Sequence, residues 1–228
     1  MRISLIGPGD MKYHFEELLK MKPQELEKHL SEIATALSNS GCDIVLTPDK
    51  GVSLEVAKQV KDKKSGVKIY GTVPKSDVEY GIRHIQPYMN EVVDGVPLFD
   101  ELIDAGNWYK LDVSKAATGD VVLVLGKSLG AIGELALGFY IYKLLTKKKP
   151  GVQPKSMDIG NHIRAGKTLP FSAIIYLPFA RGKLDYELEA YIKKVGGRVY
   201  YVNKSAELEE TFKKLKAEYE EGTVSRDE

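Results

Sequence analysis

Glu134 is the side chain whose type and spacing come nearest to chemistry in this chain. It closes the segment Gly126-Lys-Ser-Leu-Gly-Ala-Ile-Gly-Glu134, directly behind the apolar run Val121 to Leu125. That run reads as a strand buried on both faces, and Ala131 to Leu145 reads as a helix. A strand, a small-residue turn and a helix N-terminus together make an anion cradle. Glycines let the backbone approach a phosphate closely, and the N–H groups of the first helical turn have no acceptor within the helix. Gly126, Lys127, Ser128, Gly130 and Ala131 are therefore the candidate phosphate contacts. A carboxylate one turn further on repels a phosphate unless it serves another part of the ligand, such as a ribose hydroxyl or a reacting carbon. The bland alternative is a first-turn acid that complements the helix dipole, worth about 0.3–1 kcal/mol. Its neighbours Gly133, Leu135, Ala136 and Leu137 are poor company for a surface cap.

The same segment resembles the P-G-G-x-G-T-x-x-E signature of the LOG ("Lonely Guy") phosphoribohydrolases, within the SLOG superfamily of Rossmann-like nucleotide binders. Gly130 and Glu134 match at the family spacing. Gly126, Lys127, Ser128 and Ala131 stand where the family has Pro, Gly, Gly and Thr. Ile6-Gly-Pro-Gly-Asp10 is similar to the family's first strand and glycine turn, which adds Gly7 and Gly9 to the nucleotide-binding candidates. Lys68 to Pro74 is similar to its third strand, and Arg198 to Leu215 to its closing strand and helix. The resemblance implies a nucleoside 5′-monophosphate as ligand and cleavage of its N-glycosidic bond, with Glu134 as the catalytic carboxylate. It also implies an Arg partner for that Glu. The corresponding stretch, Lys110 to Asp112, contains none, so Lys110 is the candidate cation, without the bidentate fork of a guanidinium. The departures from the motif keep a second reading open, a nucleotide sensor or binding protein that does not turn its ligand over. Finally, the resemblance implies a homodimer or higher homo-oligomer built on the helix that carries Leu137, Phe139, Tyr140, Ile141 and Tyr142.

Other chemistries find little support. Asp10-Met-Lys-Tyr13 lacks the third glycine and the helix signal of a dinucleotide fingerprint. Gly126-Lys-Ser128 lacks the glycine five residues earlier that a P-loop needs. His14, His29, His84 and His162 have no metal-like spacing, and no metal or other cofactor is expected. His14 and His29 read as surface residues. Trp108 and Tyr109 are candidates to stack on a base. Thirty-three basic against thirty-two acidic residues leave a formal net charge of +1, which argues against nucleic acid or an anionic membrane as partner. Cys42, the single cysteine, permits no intramolecular disulfide and reads as a buried thiol. With no apolar run near the roughly 20 residues that span a bilayer, the chain is expected to be soluble and cytoplasmic.

The elements that must position these residues alternate. Strands are expected at Ile3 to Ile6, Asp43 to Thr47, Val67 to Val73, Val121 to Leu125, Ser172 to Leu177 and Arg198 to Val202. Helices are expected at Pro23 to Ser38, Val52 to Lys64, Leu184 to Val195 and Ala206 to Glu221. Such alternation predicts one α/β domain over residues 1–228, a Rossmann-like, doubly wound, mainly parallel sheet with helices on both faces. Between 75 and 118 the pattern weakens. A helix over Val78 to Met89 is limited by Pro87, Pro97 to Ala105 reads as a helical turn, and Val113 to Thr118 is helix-like. Residues 145–168 read as an exposed loop and 222–228 as a frayed tail.

Overall fold

Alternate residues of the run Val121 to Val124 serve two different cores. Val121 and Leu123 pack with one set of helices, Val122 and Val124 with the other, and all four are buried. A strand with both faces covered must lie inside a layered sheet. The computed structural model describes residues 1–146 and 162–224. Its strands are β1 (Arg2–Ile6), β2 (Asp43–Leu46), β3 (Ile69–Val73), the short hairpin β4 (Val92–Val93) and β5 (Val96–Pro97), β6 (Glu101–Asp104), β7 (Val121–Val124), β8 (Ser172–Tyr176) and β9 (Arg198–Val202). Seven of them form one sheet in the order β6-β3-β2-β1-β7-β8-β9. Every pairing in that sheet is parallel. The fold is therefore the Rossmann-like α/β arrangement, and the strand order reverses at β1, between β2 and β7.

On one face α1 (Pro23–Ser40) packs against α2 (Val52–Asp62) and α7 (Ser205–Val224). Leu30, Ile33 and Leu37 of α1 lie on a single stripe of that core with Phe212 and Leu215 of α7. The other face is covered by α5 (Leu129–Thr146) and α6 (Tyr186–Lys194), with Leu135, Phe139 and Ile192 inserted over the sheet. The helix α3 (Gly81–Met89) packs against β3, and the helix α4 (Trp108–Ser114) and the 3-10 turn Lys115–Ala117 brace α5. Asn107 starts α4 by accepting the Lys110 N–H on its side chain at 2.9 Å.

Four local expectations change. Pro97 to Ala105 is not a helical turn: its core is β6, an edge strand paired to β3 through Tyr70↔Glu101 to Val73↔Asp104. Only Ile103 of its four residues is buried, so the apolar alternation that marks a strand is nearly absent. The segment after Asp10 does carry a helix, a π-helical turn over Lys12–Leu18 closed by Leu19 N–H to the His14 carbonyl. A turn of that pitch leaves no 3.6-residue pattern to read. His14 is buried rather than on the surface, with Nε2 3.1 Å from the Phe179 carbonyl, and His29 Nδ1 lies 2.7 Å from the Tyr176 hydroxyl. At the chain end α7 runs on through Gly222 to Val224. Residues 147–161 of the expected exposed loop, and 225–228 of the expected tail, lie outside the described residues.

Candidate functional site

Ligands of open α/β sheets sit beyond the carboxyl ends of the strands, where the strand order reverses. A cleft of about 260 Å³ opens at that point, walled by the loops that follow β1, β2 and β7. Gly7 and Gly9 come from the first loop, Asp49 and Lys50 from the second, Ser128 from the third, and Gly130 and Ala131 from the first turn of α5 that follows it. Glu134 lines the same cleft from the second turn of α5. The residues of the first turn of α2, Val52 and Ser53, close it from the opposite wall. Two helix N-termini thus converge on one cleft, each carrying a partial positive charge of roughly +0.5.

The glycines there divide by what a Cβ would meet. At Gly7 it would stand 2.4 Å from Val52 Cγ1, so packing alone requires glycine. At Gly126, whose φ is +130°, it would reach 2.8 Å from His14 Nε2 and 2.9 Å from Pro8 Cδ. Gly51, with φ +124°, lets its loop cross the first one backbone to backbone; a Cβ would be 2.5 Å from the Pro8 carbonyl oxygen. The Val52 N–H donates to that oxygen at 3.1 Å and ties the loops together. Gly130 is different: a Cβ there would meet nothing within 4 Å. No packing demand explains this glycine, which leaves room for a ligand against the backbone.

Two predicted phosphate contacts are occupied within the protein. Ser128 Oγ accepts the Ala131 N–H at 3.2 Å, and its carbonyl accepts the Ile132 N–H at 3.0 Å, so Ser128 caps α5. This shifts the donors open to an anion from Ala131 and Ile132 towards the preceding N–H groups of Leu129 and Gly130. Lys127 turns away from the cleft, and its Nζ donates to the carbonyls of Arg181 and Lys183, both at 2.6 Å. It fastens the β7 loop to the loop after β8.

The cation beside Glu134 is Lys115, not Lys110. Lys115 Nζ lies 2.9 Å from Glu134 Oε1, and the two side chains are only 16% and 15% exposed. Lys110, one turn earlier, packs its side chain near Gly106 instead. The 3-10 turn Lys115–Ala117 aims Lys115 at α5, whereas Lys110 lies within α4. Burial opposes the charge on Lys115. The Glu134 carboxylate, helped by Asp112 and Asp49, outweighs it and holds the ammonium above its ordinary pKa. Asp112 is pushed up by burial; Lys115 opposes that shift, while Glu134 and Asp49 add to it. One oxygen of the pair is left over, because Glu134 Oε2 is buried without a hydrogen-bond partner.

An aromatic cluster lies next to Asp49, outside the residues that line the cleft. Asp49 Oδ2 lies 3.2 Å from His84 Nε2. The Tyr80 ring stacks on His84 at 5.9 Å and 15°, and Trp108 meets both edge-on at 5.4 and 5.1 Å. The Asp77 carboxylate fixes their backbones by accepting the N–H groups of Gly81, Tyr80 and Trp108. Trp108 was singled out by sequence; Tyr80, His84, Asp49 and Lys115 were not. Tyr109, the other stacking candidate, is 80% exposed and outside this cluster. Among the described residues, no group of three or more His, Cys, Asp or Glu is placed to hold a metal ion, and no helix is long and apolar enough to cross a membrane.

No family model matches this chain, and no curated protein does. Solved structures do. The molybdenum cofactor (Moco) carrier protein of Chlamydomonas reinhardtii aligns over 95% of this chain and 98% of its own, with 18% identity and a TM-score of 0.52. A second structure of that carrier gives a TM-score of 0.53 at the same identity, over 95% and 97% of the two chains. The molybdenum cofactor binding protein of Rippkaea orientalis aligns over 94% of this chain and 96% of its own, at 16% identity and a TM-score of 0.51. What these proteins share with the chain is the fold, from end to end.

Proposed function

We propose that the chain binds the phosphate end of a small nucleotide, or of a related phosphorylated cofactor, in the cleft between α2 and α5, and holds it without turnover. The observation that carries this reading is the charge balance of the cleft. Glu134 is neutralised by Lys115, and Asp49 faces His84 with Lys50 beside it. The two helix N-termini then supply the net attraction for an anion. Gly130 gives the phosphate its approach, and the Tyr80–His84–Trp108 cluster offers faces for a heteroaromatic ring. Proteins of this fold described as cofactor carrier and cofactor binding proteins support holding over cleavage. The apolar residues exposed on α5 (Leu137, Tyr140, Leu144) support a homo-oligomer joined along that helix.

A second reading rests on Glu134 Oε2. A buried carboxylate oxygen without a partner beside a phosphate cradle suits a ribose hydroxyl, or the carbon that gains positive charge as a base departs. On that reading the protein is a phosphoribohydrolase of nucleoside 5′-monophosphates, with Lys115 steadying Glu134. A thermal-shift screen against nucleoside mono- and diphosphates, ADP-ribose and the molybdenum cofactor, with chromatography of each stabilising ligand, separates the two. Stabilisation with recovery of intact ligand is the expected result, and Gly130→Val abolishes it without lowering the unliganded Tm. Release of free base, lost in Glu134→Gln, establishes the hydrolase instead. Cleavage that survives Glu134→Gln refutes that mechanism.

A further inference from the structure

A second cavity, of about 420 Å³, lies at the other end of the sheet, where Arg2 begins β1 and Asp120 precedes β7. The length of β1, about 17 Å for five residues, separates it from the nucleotide cleft. Its lining is rich in cations: Arg2, Arg164 and Lys167, with His162 alongside, against the carboxylates of Asp120 and Glu101. Arg164 and Asp120 account for each other. The guanidinium donates to both carboxylate oxygens, at 3.3 and 3.1 Å, and to the Tyr219 hydroxyl at 2.8 Å. Asp120 is 3% exposed and also accepts the Arg2 backbone N–H at 2.7 Å, so this pair fastens the start of β1 to the loop after α5.

Arg2 is not accounted for in the same way. Its guanidinium carbon stands 3.7 Å over the Tyr70 ring, which fixes the plane of the fork. Its Nε is nevertheless buried with no hydrogen-bond partner. A preset guanidinium without a carboxylate partner among the described residues, in a cavity shared with an exposed Lys167, is the arrangement that receives a planar or tetrahedral oxyanion on its outer N–H groups.

We propose that this cavity is a second binding site, for a small multivalent oxyanion (a phosphate ester or a polycarboxylate), held by Arg2 and Lys167 beside the Asp120–Arg164 pair. The site is independent of the nucleotide cleft and stands or falls without it. The test is calorimetric titration of the full chain carrying Gly130→Val, which closes the cleft to phosphate, with inorganic phosphate and, separately, citrate at low ionic strength. One anion or both should bind one per chain, and which of them binds assigns the class. Adding Lys167→Met, an exposed position that folding tolerates, should weaken binding about tenfold or more, and Arg2→Met likewise. Absence of binding by either anion in the Gly130→Val chain overturns the proposal. Binding that is indifferent to both Lys167→Met and Arg2→Met overturns it as well.

Discussion

Replacing Lys115 by Met leaves Glu134 as an unpaired carboxylate on α5, and the geometry sets what that costs. At 2.9 Å and an effective dielectric near 20, the gross Coulomb attraction is about 6 kcal/mol. Desolvation of the two groups cancels much of it, and losing one partner of a buried pair costs about 3–5 kcal/mol. Both side chains keep a small exposed fraction, 16% and 15%, which places the expectation at the lower end of that range. At roughly 2–4 °C per kcal/mol for a chain of this size, about 3 kcal/mol lowers Tm by about 6–12 °C. Lys115→Met/Glu134→Gln removes both charges and recovers most of the stability, giving a large coupling in the double-mutant cycle. Calorimetric or circular-dichroism melts of the four proteins make the measurement. A loss below about 1 kcal/mol for Lys115→Met, the range of an exposed pair, refutes the account of a buried, mutually neutralising couple.

Gly126→Ala forces a Cβ against His14 and Pro8 at a positive φ and should cost about 3 kcal/mol, measured by denaturant unfolding; a neutral result contradicts the packing described. Asp112→Asn should be more stable than the parent at pH 7, because burial raises the native pKa of Asp112 and its charged form is the unfavourable one. That advantage shrinks as pH falls through the raised pKa and is gone below about pH 3.9, the unfolded value; a Tm gap that ignores pH between 7 and 4 disproves it. Sedimentation equilibrium should show an oligomer that Tyr140→Glu dissociates, and a parent chain that is monomeric at tens of micromolar rejects the α5 interface.

How far the sequence led can be read from particular residues. The strands of the central sheet were legible because burial on both faces demands unbroken β-branched runs, as in Val121 to Val124. The cradle was legible because a glycine turn between strand and helix has few other uses. Gly7, Gly9, Ser128, Gly130, Ala131 and Glu134 do converge on one cleft. Lys115 was missed because its partner is 19 positions away, and the pairing depends on how α4 and the 3-10 turn pack under α5. Lys127 looked like a phosphate ligand because side-chain direction is invisible in a sequence, and here it runs to carbonyls more than fifty residues away. The Asp49–His84 contact joins the loop after β2 to the helix Gly81–Met89 that follows β3, a juxtaposition that only the sheet order creates.

The edge strand β6 has a consequence for how the protein stays dispersed. A parallel sheet ends in a row of backbone donors and acceptors with no neighbour, ready to pair with any extended chain, including another copy of itself. Here that edge is four residues long and sits within the acidic run Asp100, Glu101 and Asp104, with Glu101 and Asp104 exposed. Two molecules meeting edge to edge would bring the exposed carboxylates of Glu101 and Asp104 together before any backbone bond could form. The acids that hid β6 from the sequence reading are thus the ones that keep it from recruiting an eighth strand.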